Sequence, residues 1–197
     1  MDCLPLNQHR DIEGMLTNLE KVKVLICFDN YGIIGQTYYQ AEQRFLDMLN
    51  KDFVIDKQRS KDFLIVTQSL LMGLDGEKEQ IASPCFVNKH SIIFIGTFDE
   101  TTSTTSENIN TIKAYPWREK NIVPVKMVLA GKYRIVGQIH GDPKALPVHY
   151  IESQNEFLPM TNAKVISPLV PSEISFNFAA VNRNHISLFQ LSQLTTT

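Results

Sequence analysis

Cysteine is scarce in this chain: three residues in 197, at positions 3, 27 and 85. They are unevenly spaced and none recurs in the second half of the sequence. That argues against a disulfide framework or a zinc site and fits a reducing cytoplasm. An excess of positive charge is also lacking, with 19 Lys+Arg against 21 Asp+Glu and a net charge of −2. Residues 1–98 hold 10 basic and 13 acidic side chains, and the remainder holds 9 and 8. Neither half has the basic surplus with which a non-specific nucleic-acid binder neutralises phosphates. No apolar run approaches the roughly 20 residues that span a bilayer. The opening Met-Asp-Cys-Leu-Pro-Leu-Asn has neither the charged nor the apolar region of a signal peptide. The expectation is a cytoplasmic protein with no membrane contact. Gly-x-x-x-x-Gly-Lys-Ser/Thr and Gly-x-Gly-x-x-Gly are both absent, so no phosphate-cradling loop is written in the sequence.

What the chain does contain is one small pattern twice. The first copy reads Val22-Lys-Val, Tyr31-Gly-Ile-Ile-Gly-Gln36, Phe63-Leu-Ile-Val-Thr67 and Val87-Asn-Lys-His-Ser-Ile92. The second reads Val125-Lys-Met, Tyr133-Arg-Ile-Val-Gly-Gln138, Phe157-Leu-Pro-Met-Thr161 and Val181-Asn-Arg-Asn-His-Ile186. Phe63 to Phe157 and Asn88 to Asn182 are both 94 positions. A repeat of this length implies two similar units, each near the lower size at which one core is comfortably stable.

Short alternating runs separated by turn residues read as strands. The fold expected is mainly β with short helices, as two tandem small β-barrel-like (SH3/Sm-like) modules related by internal duplication. Residues 1–21 form a tail and short helix, 22–97 the first module, and 98–121 a polar Thr/Ser-rich linker. Residues 122–190 form the second module and 191–197 a tail. Each module is expected to supply its own apolar interior, with no single sheet running through both. Gly35 and Gly137 fall inside equivalent strands, which suggests a bulge or sharp bend. Ala41–Asn50 has a helical pattern, residues 51–62 read as loop, and Pro147 would disturb a helix in the matching place. A turn near Asn88-Lys89 would split the strand from Cys85 to Ile95 in two.

The order of Tyr31–Gln36, Arg44-Phe-Leu-Asp-Met-Leu-Asn50, Phe63–Thr67 and Val87-Asn-Lys89 resembles a family of small bacterial domains of unknown function. That family carries an RLSDxLN helix and a VN-K/R-x-H-I strand. The likeness covers roughly residues 22–95 and 125–189. The second copy has Ala145-Leu-Pro-Val-His-Tyr-Ile151 in place of the helix motif, while His185 and Ile186 keep the strand motif. The resemblance implies no activity and no catalytic residue.

The polar clusters at Asn88, Lys89 and His90 and at Asn182, Arg183 and His185 are the candidate binding residues. Read functionally, Lys89 and Arg183 donate charge to a recurring anion or peptide. Read structurally, the asparagines satisfy backbone groups in a turn. The histidines are out of step between copies, so a shared catalytic histidine is not expected. His140, His149 and His185 match no metal-ligand spacing, and Cys85 reads as a small core residue. Trp117 and Tyr115 would pack between the modules. No catalytic residue, metal or cofactor is expected. The composite expectation is a non-catalytic binding or assembly protein, with a protein partner or self-association favoured. The first alternative is an Sm-like or OB-like nucleic-acid binder using Tyr38, Tyr39, Tyr133 and Arg134. The second is a small-ligand sensor or enzyme with its site between the modules.

Overall fold

A computed structural model describes residues 12, 14–51, 53–55, 58–98, 121–141, 146–169 and 172–192. Residues 99–120, which are the expected linker but for its two ends and include Tyr115 and Trp117, lie outside the described residues, as do most of both expected tails. The protein is mainly β, with few short helices.

The first half contains β1 (Glu20–Cys27), β2 (Tyr31–Tyr39), α1 (Phe45–Asn50), β3 (Phe53–Ile55), β4 (Gln58–Ser60), β5 (Phe63–Gly73), β6 (Lys78–Ile81) and β7 (Cys85–Asn88). A 3-10 turn, η1 (Lys89–Ser91), then leads to β8 (Phe94–Phe98). The second half contains β9 (Asn121–Leu129), β10 (Tyr133–Gly141), α2 (Pro147–Ser153), β11 (Phe157–Ile166), β12 (Ile174–Asn182), η2 (Arg183–His185) and β13 (Ile186–Leu191). The turn anticipated near Asn88-Lys89 is η1, and its counterpart is η2. The charged stretch expected to be loop instead forms the small hairpin β3–β4. Pro147 starts α2 rather than breaking a helix. At a first helical position the missing N–H has no intrahelical acceptor to lose.

Among the described residues eleven strands form one antiparallel sheet in the order β13-β9-β10-β11-β12-β8-β1-β2-β5-β6, with β7 also on β5. The halves keep equal registers. Val24 faces Gly35 on β1–β2, and Val125 faces Gly137 on β9–β10, so Val125 matches Val24 and not Val22, two residues away from the match read in the sequence. Phe63 faces Asn88 on β5–β7, and Phe157 faces Asn182 on β11–β12. Phe94 faces Cys27 on β8–β1, and Leu188 faces Val128 on β13–β9. Register shifts occur at Ile34/Gln36 and at Val136/Gln138. At those places a Cβ on Gly35 would lie 2.6 Å from Val66 Cγ1, and one on Gly137 would lie 2.9 Å from Met160 Cε. The glycines let neighbouring strands approach where the bulge tightens the bend.

The expectation of separate interiors is corrected. Phe178–Val181 of β12 pair antiparallel with Thr97–Phe94 of β8, so the sheet is continuous through both halves. The reason is visible on β1, whose Val24, Leu25, Ile26 and Cys27 are all buried. Val24 and Ile26 join a core drawn mainly from the first half. Leu25 and Cys27 face the other way, into a core drawn mainly from the second. In return Phe157 and Ala180 project into the first-half core. The two cores thus lie on opposite faces of the central strands. Each large side chain so buried stabilises the fold by roughly 1.5–3 kcal/mol.

Candidate functional site

The polar side chains singled out in the sequence gather at η1 and η2. Asn88 Oδ1 accepts from the His90 N–H at 3.0 Å, and Asn182 Oδ1 accepts from the Asn184 N–H at 3.0 Å. Each asparagine therefore caps a 3-10 turn. The following cations serve the helices. Lys89 Nζ donates to the Met48 and Lys51 carbonyls at 3.0 and 2.8 Å. Arg183 Nη1 donates to the Glu152 and Gln154 carbonyls, both at 2.7 Å. The last carbonyls of a helix have no intrahelical donor, and a cation there also meets the negative end of the helix dipole. Lys89 is only 2% exposed, so its charge faces the end of α1 rather than an anion in solvent.

One residue further on, the halves diverge. His90 Nδ1 lies 2.9 Å from Glu156 Oε1, and its Nε2 lies 3.2 Å from Asp62 Oδ1. Hydrogen bonds to Glu156 and then Asp62 raise the His90 pKa above its ordinary value. Glu156 also accepts from Asn182 Nδ2 at 3.1 Å, and His185 Nε2 reaches the His90 carbonyl at 3.4 Å. His90, Asn182 and His185 thus meet in one polar seam between the halves, while Lys89 and Arg183 point to separate helix ends. With a carboxylate on each ring nitrogen, the imidazole is set to hold a proton and clip the halves together.

Sequence reasoning missed Asp62 and Glu156, although their spacing carried a signal. They stand 94 positions apart, immediately before Phe63 and Phe157, and their carbonyls accept from the Lys89 and Arg183 N–H groups. It also missed Asn50, whose amide brackets the Phe157 backbone. Asn50 Nδ2 donates to the Phe157 carbonyl at 3.0 Å, and its Oδ1 accepts from the Phe157 N–H at 2.8 Å.

The remaining candidates are dispersed. Tyr133 is buried and donates its hydroxyl to the Phe28 carbonyl. Its pKa is pushed up by burial first, then by Cys27 and Asp29. Tyr38 shares a hydrogen bond with Thr67, and His140 shares one with Thr161. Cys85 Sγ lies 3.3 Å from the Val66 carbonyl and from Ser69 Oγ, and burial pushes the Cys27 thiol up. Among the described residues no three His, Cys, Asp or Glu side chains converge as metal ligands. A cleft of about 470 Å³ is lined by Leu16, Tyr38, Thr67, Gln80 and Pro84 among others, all from the first half. No helix among the described residues is long and apolar enough to cross a membrane. The chain matches no protein-family model, no curated protein and no solved structure.

Proposed function

We propose that this chain is a non-catalytic binding or assembly protein made of two duplicated, barrel-like modules of the SH3/Sm type. Several matched details support the duplication. In each half the last strand returns to pair with the first, after a 3-10 turn that an asparagine caps. In each half the residue after that asparagine secures the end of the module's helix. These positions give the Asn-Lys/Arg pattern and the helix motif a shared physical task. Two free cysteines among the described residues fit a reducing, cytoplasmic setting.

One observation carries the assembly reading: the β12–β8 ladder, in which an edge of one module is satisfied by an edge of the other. Open sheet edges are templates for pairing, and a chain with two modules can engage a partner twice. Light scattering on the full chain, with its use as bait in the native lysate, tests the reading. The expected result is a defined oligomer or a recovered protein partner. A strict monomer that recovers nothing overturns it.

A further inference from the structure

The β12–β8 ladder uses one edge from each half and, among the described residues, leaves the equivalent edge of each half without a partner strand. β7 holds the place in the first half that the end of β12 holds in the second, since both pair with the preceding strand in the same register. β13 holds the place in the second half that β8 holds in the first. Among the described residues β7 pairs only with β5, and β13 only with β9. Edge strands exposed to solvent are ordinarily guarded by charge. Cys85-Phe-Val-Asn88 and Ile186-Ser-Leu-Phe-Gln-Leu191 contain none.

The side chains agree with the backbone. At the joint, Phe94 and Tyr133 are fully buried with ring centroids 5.5 Å apart. Their equivalents are Leu188 and Tyr31, and these are 51% and 40% exposed. Ala180 is buried at the joint, whereas its equivalent Phe86 is 58% exposed. Leu191, the equivalent of Thr97, is 53% exposed. The open edges therefore display large apolar groups at the positions that the joint covers.

Resting on the assembly reading above, we propose that the partner is a second copy of this chain, docked head to tail with its β13 antiparallel to β7. The joint sets the register. Val181–Phe94, Ala180–Ile95 and Ala179–Gly96 become Val87–Leu188, Phe86–Phe189 and Cys85–Gln190 between chains. Tyr31 of one chain then lies against Leu188 of the next. Such a contact is heterologous, so it repeats into a ring where the rotation closes.

Light scattering on the full chain should give a mass that is a multiple of 22.4 kDa. Phe86→Lys spoils one edge and Leu188→Lys the other, and each variant alone should fall to 22.4 kDa. Mixed together, the two variants still offer one intact β13 and one intact β7, and should form a two-chain species that grows no further. A Gln190→Cys chain, treated with a mild oxidant, should link through native Cys85 into a ladder on a non-reducing gel. The link should vanish when Cys85→Ser is added. This arm does not depend on the lysine variants folding. A monomeric wild-type chain with no crosslink overturns the proposal, as does an oligomer indifferent to both lysines or a mixture that does not pair. If that monomer recovers a different protein from lysate, the second copy is refuted and the assembly reading stands. If it recovers none, both fall.

Discussion

At the strand bend of the first half, Tyr38 Oη sits 2.7 Å from Thr67 Oγ1; at the same place in the second half, His140 Nε2 sits 2.7 Å from Thr161 Oγ1. Beside them, Gln68 and Asn162 adopt φ of 49° and 50°. The helix that follows ends on Lys89 in one half and on Arg183 in the other. Backbone geometry is common to the two regions, and side chains that meet its demands are exchanged freely. The regions also differ where they meet each other. There Asn50 and His90 of the first half reach the second, while Lys132, Tyr133 and His185 of the second reach back to the first.

Filling the glycine pockets tests the common backbone and should have the largest effect. In Gly35→Ala the new Cβ meets Val66 Cγ1 at 2.6 Å and the Thr67 carbonyl oxygen at 3.0 Å. In Gly137→Ala it meets the flexible end of Met160 at 2.9 Å and the Thr161 carbonyl oxygen at 3.0 Å. Overpacking a filled site costs about 1–3 kcal/mol. The expectation is about 3 kcal/mol for Gly35→Ala and about 1–2 for Gly137→Ala, read from urea unfolding midpoints. Equal costs would show that Met160 cannot yield.

The two helix locks should separate next. Lys89→Met keeps the volume but leaves the Met48 and Lys51 carbonyls without their ammonium. Hydrogen bonds from charged donors are worth about 1.5–3 kcal/mol, while removing a buried charge relieves desolvation. Two carbonyls outweigh one relieved ion, so a loss of about 2 kcal/mol is expected. Arg183 is less buried, and Arg183→Met should cost about 1 kcal/mol or less. A stabilised Lys89→Met would show that desolvation dominates. Asn50→Ala removes two hydrogen bonds to the Phe157 backbone and should cost about 1–2 kcal/mol. Ser153 stands near the matching position, and its hydroxyl donates to the Tyr150 carbonyl and accepts from Gln154 Nε2, both local partners. Ser153→Ala should cost under about 0.5 kcal/mol.

The registers show which of these features a sequence can carry. Strands, the turn at Asn88 and the bends at Gly35 and Gly137 follow from local alternation and turn chemistry, so the repeat exposed them. The capping roles of Asn88 and Asn182 follow from the same local chemistry. The joint does not. Leu25 and Cys27 continue an apolar run on β1, and no property of that run tells which half covers their face. From sequence Lys89 reads as a charge donor to an external anion or peptide, because lysines are rarely buried. Its partners, the carbonyls at the end of α1, become visible only once η1 is folded against that helix. Pro147 misled for a similar reason: its effect depends on whether it falls inside a helix or at its first residue.

The smallest effect lies where the halves differ by one side chain, at His90 and its equivalent Asn184. His90 faces Asp62 and Glu156, with His185 on its carbonyl. Its folded pKa is raised by those carboxylates. Protonated His90 therefore adds stability that is complete below the ordinary histidine value of about 6.5 and is lost as pH rises through the folded value. The side chain is 58% exposed, so solvent screening holds the gain below about 1 kcal/mol. His90→Asn installs the residue that the second half already uses. Wild-type chain should melt higher than this variant at pH 6, and the gap should close by pH 9. Raising the salt should shrink the gap at pH 6, because exposed pairs are screened. A gap that is constant from pH 6 to 9 would mean that His90 holds the seam by packing and neutral hydrogen bonds, leaving the charge without a role.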